Sequence, residues 1–257
     1  MAAKADYIAV IDSGVGGISV LRELCKLMPH ERYLYFGDSA NAPYGTKPTE
    51  KILEMTDATV SRLMQRGIKA LVVACNTATA AAIGYLREKY PDFIIIGIEP
   101  ALKPAVTRFP GGTVGIMATP VTLREDKLKK LIENHPHPNL QLIPAPGLVE
   151  LVEAGLGNAP ETDAFLEEIL RPYGDKLDAL VLGCTHYPFV IPAIRRVLGE
   201  RTVLFDGGAG TARETRRRLE KAGLLYDGPG EVLLENSLQS PEMLQLCERL
   251  LTEEIYG

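Results

Sequence analysis

Residues 71–79 read LVVACNTAT, and residues 180–188 read LVLGCTHYP. In both, a run of small and β-branched apolar side chains, the pattern of a buried strand, breaks off at a cysteine followed by hydroxyl, amide or imidazole side chains. Each strand delivers one thiol to its carboxyl end. A single cysteine in such a place is ordinarily a small apolar packing residue. Cys75 and Cys184 ask for more, because duplicated position and polar followers would both have to coincide by chance.

Outward from these strands the chain alternates strand and helix. YIAVI (residues 7–11) runs into DSGVGGISVLRELCKLM, a glycine-rich turn feeding an amphipathic helix, and RYLYFG is a strand followed by the polar loop DSANAPYGTKP. A helix is expected from Thr49 to Arg66, with Ile52, Thr56, Thr59, Val60 and Leu63 on its apolar face and Gly67 as its stop. The Cys75 strand is followed by an alanine-rich helix and by FIIIGIEP, a strand ending at Glu99 and Pro100. This spacing implies a mostly parallel α/β sheet that binds its ligands at the strands' carboxyl ends.

The same order then repeats. GTVGIMATPVTLREDKLKKL is strand, turn and helix, with Thr119 as N-cap and Pro120 as the first helical residue. LQLIPAPGLVELVE matches the second strand and its loop, LDALVLGCTHYPFV the cysteine strand, and RTVLFDGGAG the strand ending at Glu99. Ser13 to Thr119 is 106 residues, Leu34 to Leu140 is 106, Cys75 to Cys184 is 109 and Glu99 to Asp206 is 107. The offsets fit a duplicated domain and are too long for a solenoid. The expected fold is α/β, with two similar domains of mostly parallel sheet related by a pseudo-two-fold axis and the active site in the cleft between them. The expected limits are 1–99 plus 208–257 for the first domain and 100–207 for the second. The segment after Asp206 comprises the helix TARETRRRLEKAG, the strand EVLLEN and a final helix started by Ser240, Pro241 and Glu242. It has no counterpart in a third unit and is expected to pack back on the first half.

Composition narrows the function classes. The 257 residues are 46% hydrophobic, enough for a substantial core. The net charge is −5, and apart from RETRRRLEK the basic residues are scattered, so nucleic-acid binding is not expected as a primary role. The absence of a cleavable leader and of an apolar run near bilayer length leads us to expect a soluble, cytoplasmic protein with no membrane partner. Four cysteines without tight spacing, in a reducing compartment, argue against disulfides. His30, His135 and His137 lie in loops or beside proline with no pairing at ligand spacing, so no metal site is expected.

A free thiol has a pKa of about 8.5 and is only slightly ionised at neutral pH. A helix starting just after Cys75 or Cys184 would stabilise the thiolate, and Asn76, Thr77, Thr185 and His186 are suitable donors beside it. His186 is placed to set the protonation of Cys184. Cys25 and Cys247, on apolar helix faces, are read as core. DSGVGG lacks the Walker ending and the dinucleotide glycine spacing. It is either a plain strand-to-helix turn, or a site where Ser13 and the following amides hold a substrate carboxylate while Asp12 orients groups or relays protons. Pro43, Tyr44 and Gly45 form either a bland loop turn or part of the cleft rim.

DSGVGG, GDSANAPYG, ACNTAT, PGLVELVE and GCTHYP, in their positions along the chain, resemble the glutamate racemase family of cofactor-independent amino-acid racemases over nearly the whole length. The resemblance implies interconversion of L- and D-glutamate, supply of D-glutamate for peptidoglycan, a homodimer, and no cofactor. It makes Cys75 and Cys184 the two catalytic acid/bases, supported by Asp12 beside Cys75 and His186 beside Cys184. Ser13, Tyr44, Gly45, Asn76, Thr77, Thr185 and His186 fall where the family contacts substrate, and Glu150 where it often has a cleft carboxylate near the histidine. Asp12, Pro43 and Thr119 complete the expected substrate set. The chemistry agrees: inverting an α-carbon by proton transfer needs a base on one face and an acid on the other, since one group would return the proton to the side it left. No lysine stands in a recognisable pyridoxal-phosphate setting, which leaves hydrogen bonds to the carboxylate and exclusion of water to stabilise the carbanion. Ala145, Gly207 and LLENS (residues 233–237) depart from the family, which commonly has cysteine, serine, and threonine, serine and glycine there. The alternatives are an aspartate or hydantoin racemase of the same superfamily, or a non-catalytic regulatory protein on this scaffold. The intact cysteine pair argues against the last.

Overall fold

The computed structural model describes residues 3–252. Residues 1–2 and 253–257, at the outer ends of the expected first domain, lie outside the described residues. In chain order the first half contains β1 (Tyr7–Asp12), α1 (Ile18–Leu27), β2 (Arg32–Gly37), α2 (Thr49–Leu63), β3 (Ile68–Val73), α3 (Asn76–Lys89) and β4 (Ile94–Gly97). The second contains α4 (Leu102–Arg108), β5 (Val114–Ala118), α5 (Pro120–Arg124), α6 (Asp126–Asn134), β6 (Leu140–Pro144), α7 (Leu148–Glu153), α8 (Pro160–Leu170), β7 (Ala179–Leu182), α9 (Ile191–Leu198) and β8 (Val203–Asp206). The chain ends with α10 (Gly208–Lys221), β9 (Glu231–Asn236) and α11 (Pro241–Thr252).

The strands form two parallel sheets, ordered β4-β3-β1-β2-β9 and β6-β5-β7-β8. Equating β1 with β5, β2 with β6, β3 with β7 and β4 with β8 superimposes the two orders, as the sequence offsets anticipate. Ser13 and Thr119 each follow directly on the first strand of their half, and Cys75 and Cys184 each stand two residues beyond the third. The first strand of each half neighbours both the second and the third, so the strand order reverses between β1 and β3 and again between β5 and β7. Ligands of open α/β sheets bind at such a switch point, outside the carboxyl ends of the strands. Both thiols stand at one.

The strand of FIIIGIEP is shorter than the sequence suggests: it stops at Gly97, and Ile98 N–H makes one last bond to Val73 O at 3.1 Å before the chain crosses to the second half. The helix from Thr49 ends as foreseen: its last residues tighten into a 3₁₀ turn and Gly67 takes φ 66°. Here a left-handed residue lets the chain leave the helix, and glycine adopts it without steric cost. The returning segment joins the first half: β9 pairs in parallel with β2, and α10 and α11 pack on α1. Buried apolar side chains from both halves, among them Val10, Leu24, Met117, Leu148 and Tyr187, form one continuous cluster, so the facing surfaces are glued by core packing as well as polar bonds. None of the helices among the described residues is long and apolar enough to cross a membrane.

One charge lies where the apolar pattern gives no warning. Lys69, inside β3 and 1% exposed, gives its ammonium protons to Glu31 Oε2 (2.6 Å), Leu224 O (3.0 Å) and Lys4 O. Glu31 in turn accepts Tyr226 N–H at 2.9 Å. A buried ion pair adds little over an apolar pair, but removing one partner strands a charge. Glu31→Ala is therefore expected to lower the unfolding free energy by about 3–5 kcal/mol. Urea unfolding of the two proteins checks this, and equal midpoints would remove the pair from the account of stability.

Candidate active site

The facing strand ends bring together most of the expected residues. β1 delivers Asp12, whose Oδ1 accepts Gly14 N–H (3.0 Å) and whose Oδ2 accepts the Thr185 hydroxyl (2.9 Å) from the opposite half. Ser19 Oγ adds a second bridge, to Thr185 O at 2.8 Å. Burial holds the Asp12 carboxyl above its ordinary range, against the pull of His186 and the Thr185 hydroxyl.

Cys75 caps α3: its Sγ accepts Ala78 N–H at 3.4 Å, and its thiol lies 3.5 Å from Ser13 Oγ as a donor. The sequence suggests that this helix start favours the thiolate, and the structure corrects that. Burial, and next the negative charge of Asp12, push the Cys75 thiol up to about 12, outweighing Ser13 and the Ala78 amide; Cys184 pushes the same way. Cys75 is a protonated thiol here.

Cys184 is set up differently. No α-helix starts at Thr185; a 3₁₀ turn spans Tyr187–Val190 before α9. The neighbour of its sulfur is His186 Nδ1, at 3.7 Å. His186 is 1% exposed, and its Nε2 donates to Glu153 Oε1 at 2.6 Å. Burial alone would lower the imidazole pKa, but the hydrogen bonds and charges of Cys184 and Glu153 prevail and hold it well above its usual 6.5. Glu153, which burial would raise, is kept below the ordinary carboxylate range by His186, Val15 N–H and Ser39. The imidazolium thus points one N–H at a carboxylate and the other at the Cys184 sulfur.

Glu153 is a correction to the expected Glu150. Glu150 is exposed, and the carboxylate on the histidine comes from one turn later. The buried residues of α7 are Leu148, Val149 and Val152. At roughly 100° per residue, Glu153 borders that stripe while Glu150 lies nearly opposite it. Helix phase was the signal that distinguishes them.

Two amides of the DSGVGG turn serve the protein's own acids, Gly14 N–H on Asp12 and Val15 N–H on Glu153 at 2.7 Å. Its glycines have a packing reason: a Cβ on Gly14 would collide with the Glu153 carboxylate, and one on Gly16 with the His186 ring. The turn is where the second half's acid and imidazole dock.

At the rim, Tyr44 is buried and donates to Asp38 Oδ2 at 2.7 Å, an acid that the sequence reading passed over. Pro43 follows a cis peptide bond, and Gly45 packs against Thr119, whose side chain a Cβ there would meet at 2.7 Å. Thr119 caps α5 and shares hydroxyl contacts with Thr77 (3.3 Å) and Thr122 (3.0 Å), so Thr77 and Thr119 also meet across the halves. Asn76 Oδ1 is buried without a partner among the described residues, an acceptor a polar ligand would satisfy. All four cysteines are free, with Cys25 and Cys247 in helix packing, and no group of His, Cys, Asp or Glu among the described residues is arranged to hold a metal.

The Asp/Glu/Hydantoin racemase family model matches residues 8–215. The chain is 46% identical over 255 residues to a glutamate racemase of Clostridium acetobutylicum, covering 98% of this chain and 99% of that one. It is 45% identical over 248 residues to a glutamate racemase of Clostridium perfringens, covering 95% of each. Among solved structures it resembles a glutamate racemase isoform of Bacillus anthracis with a TM-score of 0.87 at 31% identity, covering 98% of this chain and 96% of the other. A glutamate racemase of Francisella tularensis, solved in complex with D-glutamate, gives 0.83 at 28% identity, covering 99% and 96%. The chain belongs to the Asp/Glu/hydantoin racemase family.

Proposed function

We propose that the chain is a glutamate racemase that inverts the α-carbon with Cys75 and Cys184 as the acid and base on opposite faces. The observation that carries this is the pair of thiols at equivalent switch points of two facing sheets, each with a different partner. Cys75, beside Asp12, is a thiol and thus a proton donor. Cys184, whose sulfur lies 3.7 Å from His186 Nδ1, stands beside a group that can exchange a proton with it and takes the part of the proton acceptor. One α-proton leaves to Cys184 as another arrives from Cys75, and the roles exchange in the reverse direction. Thr185, Ser13, Asn76, Thr77 and Thr119 surround the reacting centre with hydroxyl and amide groups able to hold the amino and carboxylate groups, and closure of the halves excludes water.

Glutamate as the substrate is supported by the relatives at about 45% identity. Incubation with L-glutamate, L-aspartate or a hydantoin, followed by circular dichroism, tests it. Decay of the glutamate signal alone is expected; inversion of aspartate or hydantoin without glutamate would replace this reading by its alternative. The same reading places the protein in the cytoplasm, supplying D-glutamate for peptidoglycan, and makes it a homodimer. Sedimentation at the 28.0 kDa mass of one chain would remove the dimer.

A further inference from the structure

Asn236 ends β9 within LLENS, where the family resemblance implies small hydroxyl residues and glycine. It is 4% exposed. Its Oδ1 accepts Leu238 N–H at 3.0 Å, which fixes the amide's orientation and makes Nδ2 the atom that donates to Ser39 Oγ at 2.9 Å. Ser39, accepting there, has one strong acceptor for its own proton: Glu153 Oε2 at 2.8 Å, with Met243 Sδ, a weak acceptor, at 3.8 Å. The other oxygen of Glu153 takes Val15 N–H and His186 Nε2–H, and the far side of the ring meets Cys184. The donor directions from the backbone of residue 238 to the His186 ring are thereby set. Asn236, Ser39 and Val15 belong to the segments that build the first sheet, Glu153, His186 and Cys184 to those that build the second.

We propose that Ser39, aimed by Asn236, is a positioning residue for the racemase reaction, holding Glu153 so that the His186 ring stays on Cys184, and doing so only while the two halves are together. A carboxylate gripped at one oxygen rotates about its last bond; gripped at both, it cannot, and the imidazole bonded to it inherits the restraint. The proposal rests on the racemase reading.

The test is Ser39→Ala against Ser39→Thr. Losing one hydrogen bond to a charged group is expected to lower kcat for glutamate about tenfold with KM nearly unchanged, and the threonine variant, which keeps the hydroxyl, to stay within about twofold of wild type. Asn236→Asp replaces the donor by an acceptor and turns the serine proton away from Glu153; it is expected to match Ser39→Ala and to add nothing in the double variant. Wild-type kcat in Ser39→Ala, an equal loss in Ser39→Thr, or a loss confined to KM overturns the proposal. Absence of glutamate racemisation by the wild-type protein is instead failure of the functional reading. The clamp is then decided by NMR of protein with labelled histidine, the His186 Nε2–H signal being identified by its loss in His186→Asn. That signal is expected to shift or vanish in Ser39→Ala and persist in Ser39→Thr; an unchanged signal in Ser39→Ala refutes it.

Discussion

Cys75→Ser and Cys184→Ser are each expected to lose racemisation by about 10³-fold or more while still exchanging the α-proton of one enantiomer with solvent. A hydroxyl is a far poorer acid or base than a thiol at neutral pH, so substitution silences one face of the site. The other thiol is untouched. It still takes the proton it faces, trades it with deuterated water and returns deuterium to the same side. Cys75→Ser and Cys184→Ser should therefore spare opposite enantiomers, read by mass spectrometry of recovered glutamate in deuterated buffer. Racemisation at the wild-type rate in either variant would eliminate the two-base mechanism, and sparing of the same enantiomer in both would eliminate the assignment of one cysteine to each face.

His186→Asn should cost about 10²-fold in kcat and carry a pH signature in stability as well. The folded imidazole stands well above its usual 6.5 because of Cys184 and Glu153, overcoming the opposite effect of burial. A raised value means that the folded state holds the proton more tightly than the unfolded chain. The stabilisation is fully present below the unfolded pKa of about 6.5 and disappears as pH rises through the higher folded value. Glu153, depressed in the folded state, sets the acid side: its share is present above the ordinary glutamate pKa and is lost as pH falls through the lowered value. The melting-temperature gap between wild type and His186→Asn should thus be widest near neutral to mildly acid pH and close toward alkaline pH. A gap independent of pH would mean that the ring titrates alike in the folded and unfolded chain.

Much of this architecture was legible because it is written in local chemistry. The apolar runs before Cys75 and Cys184, the proline after Thr119 and the glycine after Arg66 each fix a strand end, a cap or a stop within a few residues. Their near-constant offsets expose the duplication. What escaped depends on distances between segments far apart in the chain. That Glu153 rather than Glu150 meets the histidine depends on where α7 lies against His186, 33 residues further along the chain. The protonation of Cys75 depends on how deeply Asp12 and the sulfur are buried together, which no motif states. Lys69 reads as a stray charge in an apolar strand until the distant backbone of Leu224 and the side chain of Glu31 are seen around its ammonium.

The pairing of β9 with β2 also bears on how the chain is made. Residues 32–37 acquire their outer neighbour from residues 231–236, about 200 positions later. On the ribosome, β2 stays a bare sheet edge, rich in tyrosine and phenylalanine, throughout synthesis of the entire second sheet. An uncovered edge of that kind is a liability for association, and the arrival of residues 231–236 covers it.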